Sequence, residues 1–167
     1  GPARGAADDV SPTNPGAEVW TNGAGAFAAE SGDRAGARPG SANFLIWWDG
    51  DESRELLNGN TISEYDDQGR GLTATGCSSI NGTKSVPSLS ADLLGDWREE
   101  VVFTCGSSLR IYTTDQPTAR RIYTLMHDPQ YRVAISSQNS TYSQPPHTSF
   151  HIGAGMKEPP MPSIHVR

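Results

Sequence analysis

The sequence predicts an all-β protein, an array of small antiparallel sheets of the β-propeller type. Three observations predict it. An acidic loop that runs straight into a β-rich segment recurs along the chain. Glycine and proline, 18 and 12 of 167 residues, are frequent enough to punctuate many short strands. No segment shows convincing helical periodicity.

The clearest copy of the loop is Ala91–Phe103, ADLLGDWREEVVF. Asp92, Asp96 and Glu100 stand at positions 1, 5 and 9, Gly95 supplies a sharp turn, and Val101-Val102-Phe103 form the strand. The run Trp48–Leu57, WDGDESRELL, puts Asp49, Asp51 and Glu55 at positions 3, 5 and 9 of the same frame. Asp9–Trp20, DVSPTNPGAEVW, is a looser copy, one residue longer and without a middle carboxylate. The closing residues Glu18, Glu55 and Glu100 are separated by 37 and 45 residues. Short strands repeating at that interval mark a propeller or similar array; the bland alternative is three unrelated acidic turns.

The elements follow in order. Residues 1–20 hold the first loop and strand. Residues 21–42, small and polar, read as an exposed connection. Asn43–Trp48, NFLIWW, is an apolar run and a buried strand. Arg54–Leu57 and Thr61–Ser63 are strands about an Asn58-Gly59 hairpin signal. Residues 65–79 are polar and glycine-rich. Lys84–Ser90 leads into the main acidic loop. Glu99–Thr104 and Ser108–Thr113 pair about Cys105-Gly106-Ser107. Ile122–Met126 and Arg132–Gln138 read as strands separated by HDPQY, and Phe150–Ile152 as a last short strand. Trp47, Trp48 and Trp97 are assigned to the core. Residues 1–155 form the folded unit and 156–167 a proline-rich, extended tail.

Carboxylates converging on one point suit a hard cation such as calcium, which takes oxygen ligands. The candidate ligands are Asp49, Asp51 and Glu55 in one loop, and Asp92, Asp96 and Glu100 in the other, with the main-chain carbonyl of Arg98 at position 7. Position 3 of the latter loop is Leu94, so water or a carbonyl would have to serve there. Such sites read as structural, tying the acidic turn to the next strand.

The net charge of −6, from 19 acidic and 13 basic residues, argues against general nucleic-acid affinity. No apolar run approaches the ~20 residues needed to cross a membrane as a helix. The chain opens mid-pattern, with neither an initiator Met nor a signal-like start, and reads as a fragment of something longer. Cys77 and Cys105 either pair or remain buried thiols; the sequence leaves both open.

The runs NFLIWWDGDESRELL, INGTKSVPSLSADLLGDWREEVVF, LRIYTTDQPTARRIYTLMHDPQYRVAI and YSQPPHTSF resemble rhamnogalacturonan lyases of polysaccharide lyase family 11. The resemblance runs from about Asp9 to Gly155. It implies an eight-bladed, calcium-rich β-propeller of which this chain is the C-terminal three to four blades. It implies a secreted, monomeric parent that cleaves the rhamnose–galacturonate backbone of pectin by β-elimination.

The resemblance also implies site residues. Asn81, Gly82 and Thr83 would contact saccharide, Lys84 would act in the active site, and Tyr142 would stack on a sugar ring. Read alone, Asn81-Gly82-Thr83 is a glycosylation sequon or a turn. His127, Asp128, Tyr131 and Arg132 offer a base and a carboxylate clamp, but Asp-Pro more simply starts a turn, with Arg132 pairing with Asp128. His147 is read the same way. Two other functions compete: a pectin-binding module without chemistry, and a purely structural calcium-loop repeat.

Overall fold

The computed structural model of the chain describes residues 4–65, 70–140 and 143–163, without the side chain of Thr83. Three antiparallel sheets follow one another along it. The first joins β1 (Gly5–Asp8), β2 (Glu18–Thr21), β3 (Ala26–Ala28) and β4 (Arg34–Gly36) in sequential order. The second joins β5 (Phe44–Ile46), β6 (Glu55–Asn58), β7 (Thr61–Ser63) and β8 (Leu72–Thr73) in the same way. The third has β9 (Leu89–Ala91), β10 (Glu100–Cys105) and β11 (Ser108–Tyr112). The all-β expectation therefore holds at the level of class.

Each closing glutamate is the first residue of the second strand of its sheet. Each is buried, and each turns a carboxylate oxygen back onto main-chain N–H groups of its own loop. Glu18 accepts from Val10 and Ser11 at 3.0 and 3.2 Å. Glu55 accepts from Trp48 at 2.7 Å. Glu100 accepts from Leu93 and Leu94 at 2.8 and 3.0 Å. Loop N–H groups that point into the protein must find an acceptor. A carboxylate at the head of the next strand supplies one, so the sequence repeat has a structural cause. Gly95 (φ 82°) makes the predicted turn. Gly50, in the second loop, has φ 90°, and a Cβ there would meet Thr118 Cβ at 2.7 Å, so only glycine fits.

Strands β5 and β6 of the second sheet are buried on both faces up to Leu57. Phe44, Ile46 and Leu57 pack with Val101, Phe103 and Trp48. Leu45 and Leu56, offset by one residue, pack with Val10 and Trp20 of the first repeat. Period-2 alternation sends neighbouring side chains to opposite faces. A strand apolar at every position is thus one sandwiched between two layers, which accounts for NFLIWW. The disulfide Cys77–Cys105 closes the core between the second and third sheets.

Four expectations are corrected. Residues 21–42 are not a plain connection, since they carry β3 and β4; alanine and glycine strands give no apolar alternation to read. Residues 132–138 are helical: α1 spans Pro129–Ser137. Asp128 caps it, accepting from the N–H of Gln130 at 2.8 Å and of Tyr131 at 3.3 Å, and Pro129 opens the first turn. Only Tyr131 of α1 is buried, so the helix has too narrow an apolar stripe to show periodicity. Residues 122–126 are not a strand either, ending instead in a 3-10 turn, Leu125–His127, capped by Thr124. Phe150–Ile152 forms no strand. Trp47, Trp48 and Trp97 are core residues as expected; Trp47 and Trp97 join Ile122, Leu125, Tyr131 and Ile152 in the cluster under α1.

Candidate functional site: an acidic cluster and a basic cleft

The two acidic loops differ in what their carboxylates do. Asp49, Asp51 and Glu55 each offer an oxygen within 4.8 Å of the others, the only such acidic triad among the described residues. Asp49 and Glu55 are buried. Burial, then the neighbouring Asp51 charge, pushes the Asp49 carboxyl up; burial, then Asp49, pushes Glu55 well above the ordinary range. Arg70 reaches into the cluster, 2.7 Å from Asp49 and 3.3 Å from Asp51, and also binds Glu64 at 2.9 Å. One guanidinium shared among these acids leaves excess negative charge, and the oxygens fit a hard divalent cation.

The carboxylates of the other loop are turned to hydrogen bonding. Asp92 accepts from Gly95 and Asp96 N–H on one oxygen, at 2.7 and 3.1 Å. On the other it accepts from the Thr124 hydroxyl and Leu125 N–H, both at 2.8 Å. Asp96 pairs with the Arg98 guanidinium. Glu100 takes the Leu93 and Leu94 N–H groups and the Thr113 hydroxyl. Leu94, where the first loop has Asp49, is exposed and adds no oxygen from its side chain.

A cleft of about 260 Å³ opens beside β1 and β5. Four distant stretches line it: residues 4–7, residues 42–45, Lys84, and Ser143–Pro145 with His147. The predicted Asn81–Lys84 run is a 3-10 turn, Gly82–Lys84, entered through Asn81 at φ 63°. Asparagine tolerates that left-handed conformation better than most residues. The Asn81 amide donates to Ser143 Oγ at 3.1 Å, tying this turn to the SQPPH segment across 62 residues of sequence. Lys84 thus lines the cleft, and Asn81 adjoins it through a bond to the lining Ser143. Tyr142 lies outside the described residues.

Two lining residues escape the sequence reading, Arg4 and Asn43, which accepts a hydrogen bond from Arg4; His147, weighed there as a base against a turn residue, lines the cleft with them. The Pro145-Pro146 pair before His147, which stiffens that segment, was the available signal. Behind the cleft lies buried Arg54. It stacks 3.5 Å over the Trp47 ring, pairs with Asp8 at 3.3 Å and donates to the Pro146 carbonyl. Asp8 in turn lies 3.6 Å from His147 Nδ1. Burial and the Arg54 charge pull the His147 imidazole below its usual value, against the upward pull of Asp8.

The HDPQYR segment caps α1 and seats it on the core through Asp128 and Tyr131, while His127, Asp128 and Arg132 also line a cavity of their own. Tyr131 is buried, its hydroxyl donating to Glu99 at 2.7 Å and accepting from Asp92 N–H at 2.9 Å. Arg132 donates to the Met126 carbonyl at 2.6 Å, not to Asp128. Burial pushes Asp128 up, but the Ser149, Gln130 and Tyr131 donors outweigh it and hold the carboxyl below its usual range.

Comparison with known proteins places this geometry. Residues 2–162 match the family described as rhamnogalacturonan lyase family 11, C-terminal domain. The chain is 52% identical over 169 residues to the rhamnogalacturonan endolyase YesW of Bacillus subtilis (strain 168), covering 98% of this chain and 27% of that protein. It is 44% identical over 185 residues to the rhamnogalacturonan exolyase YesX of the same organism, covering 98% and 30%. The solved structure of the Bacillus licheniformis rhamnogalacturonan lyase PL11 superposes with a TM-score of 0.88 at 53% identity, over 98% of this chain and 29% of that one. The chain thus spans under a third of the length of these relatives. It belongs to rhamnogalacturonan lyase family 11, as the C-terminal domain of that family.

Proposed function

We propose that this chain is the C-terminal part of a secreted, monomeric lyase that cleaves the rhamnose–galacturonate backbone of rhamnogalacturonan I by calcium-assisted β-elimination, and that it supplies one wall of the active cleft. In this reading the three sheets are successive blades of an eight-bladed propeller; the burial of the second sheet between its neighbours supports that arrangement.

The observation that carries the proposal is the chemistry of the cleft. Lys84 and Arg4 line it, no carboxylate among the described residues does, and the Asn81–Lys84 turn is locked to the SQPPH segment. A galacturonate is an anion whose C5 proton becomes acidic only when its carboxylate is neutralised. Lys84 and Arg4 provide that neutralisation in a partly enclosed site. Asn81 and Thr83 offer hydrogen bonds to sugar hydroxyls, Gly82 lets the chain approach closely, and Tyr142 offers a stacking ring.

Calcium, held by Asp49, Asp51 and Glu55, would supply positive charge that ties the acidic turn to β6. The same reading extends more weakly to Asp92, Asp96, the Arg98 carbonyl and Glu100. Two experiments test the proposal in the full-length lyase. Lys84→Met is expected to lower the release of unsaturated uronate from rhamnogalacturonan by about 10²-fold or more; an unchanged rate overturns the role of Lys84. Calcium at about 100 times its Kd is expected to stabilise the protein by about 2.7 kcal/mol, and Asp49→Asn should abolish that gain. A melt indifferent to calcium and chelator overturns the cation site. Saccharide binding by the wild type with no unsaturated product would instead favour a binding module.

A further inference from the structure

β-Elimination needs a group that takes the C5 proton, and the cleft offers few. Its chargeable lining side chains, among the described residues, are Arg4, Lys84 and His147. A guanidinium is not deprotonated in proteins, and an ammonium has no lone pair until it loses a proton. A neutral imidazole carries an accepting nitrogen at once.

Two charged groups, Asp8 and Arg54, lie beside the ring of His147. Asp8, the last residue of β1, places Oδ2 3.6 Å from Nδ1. That contact favours the proton on Nδ1 and leaves Nε2 to accept. Asp8 is itself held by Arg54 at 3.3 Å, and the same guanidinium donates to the carbonyl of Pro146, the residue before His147. One buried group therefore positions both the backbone leading to the imidazole and the carboxylate that orients it. The side chain of His147 remains about half exposed, so substrate can reach it.

We infer that His147 is the proton acceptor of the elimination, oriented through Nδ1 by Asp8, while Lys84 and Arg4 meet the uronate carboxylate. This rests on the lyase reading of the same cleft. In the step, Nε2 takes the C5 proton and the C4=C5 double bond forms. The C4–O bond breaks with its electron pair on the leaving oxygen. That oxygen takes a proton from water, and the imidazolium later returns its own to solvent. The charged groups facing the imidazole are Asp8 from β1 and Arg54 from the residue before β6, with Arg4 and Lys84 lining the same cleft. Burial and Arg54 prevail over Asp8 and favour the neutral ring, which can accept a proton.

The test uses the full-length lyase. His147→Gln should lower kcat by about 10²–10⁴-fold with little change in KM. It should also remove the acidic limb of the pH profile of kcat/KM. Added imidazole should partly restore His147→Ala. Asp8 is a positioning residue, so Asp8→Asn should shift the acidic limb and leave KM in place. Thermal melts identify any variant that fails to fold, and imidazole rescue then decides. A His147→Gln enzyme within about tenfold of wild type, with the acidic limb intact, overturns the inference. If Lys84→Met removes that limb and His147→Gln does not, Lys84 is the base, and the lyase reading survives without this inference. No unsaturated uronate from the wild-type enzyme overturns both.

Discussion

Arg54→Met should be a costly substitution. The guanidinium is fully buried, pairs with Asp8 at 3.3 Å, donates to the Pro146 carbonyl and stacks 3.5 Å over Trp47. Methionine keeps most of the volume, so the loss is one of charge and hydrogen bonds. Removing one member of a buried ion pair costs about 3–5 kcal/mol, because the remaining charge is left without compensation. The stacking term, up to about 2 kcal/mol when desolvated, belongs to the same guanidinium and is counted within that range, not added to it. For a chain of this size, each kcal/mol moves the melting temperature by about 2–4 °C. The expected fall is therefore roughly 10 °C, read by circular dichroism in thermal and urea melts. Much of the cost is the stranded Asp8 carboxylate, so Arg54→Met with Asp8→Asn should recover part of it. Removing Arg54 should also raise the pH at which His147 titrates, read from its NMR ring protons, since Arg54 pulls that imidazole down. A loss below about 1 kcal/mol, typical of an exposed pair, would refute the reasoning.

Two further predictions concern stability. Reduction of Cys77–Cys105, whose half-cystines are 28 residues apart, should cost about 3–4 kcal/mol on the chain-entropy account; a denaturant midpoint indifferent to reductant would contradict it. Glu99 is buried, and although Arg54, Tyr131 and Trp47 N–H oppose the shift, its carboxyl is pushed up from 4.5 to about 7. The folded chain then holds that proton more tightly than the unfolded chain. Its contribution to stability should fall as pH rises from about 4.5 to about 7 and level off above. Glu99→Gln should flatten part of that slope in melts across the range, and Asp9, also raised to about 7, should account for some of the rest; a slope of the opposite sign would contradict the burial argument.

What the sequence determined was local. A glutamate that opens a strand after an acidic turn is visible as Glu18, Glu55 and Glu100, because a loop's N–H groups and their acceptor lie within eight residues of one another. The hairpin turns at Gly59 and Gly106 are equally local, since positive φ favours glycine there. The buried character of NFLIWW follows from its composition alone. Relatedness, too, was legible, in runs long enough to be specific.

Tertiary structure decided the rest. Asp49, Asp51 and Glu55 converge, whereas Asp92 is drawn to Thr124 and Leu125, more than 30 residues away, and no spacing rule shows that. The strands β3 and β4 are made by pairing, because alanine and glycine carry no pattern of their own. Helix α1 owes its start to the Asp128 cap, and its fixed place to one buried tyrosine that reaches Glu99. The cleft assembles Arg4, Asn43, Lys84 and His147 from four separate stretches. The surroundings that act on His147, its partial burial and the Arg54 and Asp8 charges, come together only through packing. Backbone pattern is a property of neighbours in sequence. A site is a property of neighbours in space, and the distances between its groups exist only once the sheets have packed.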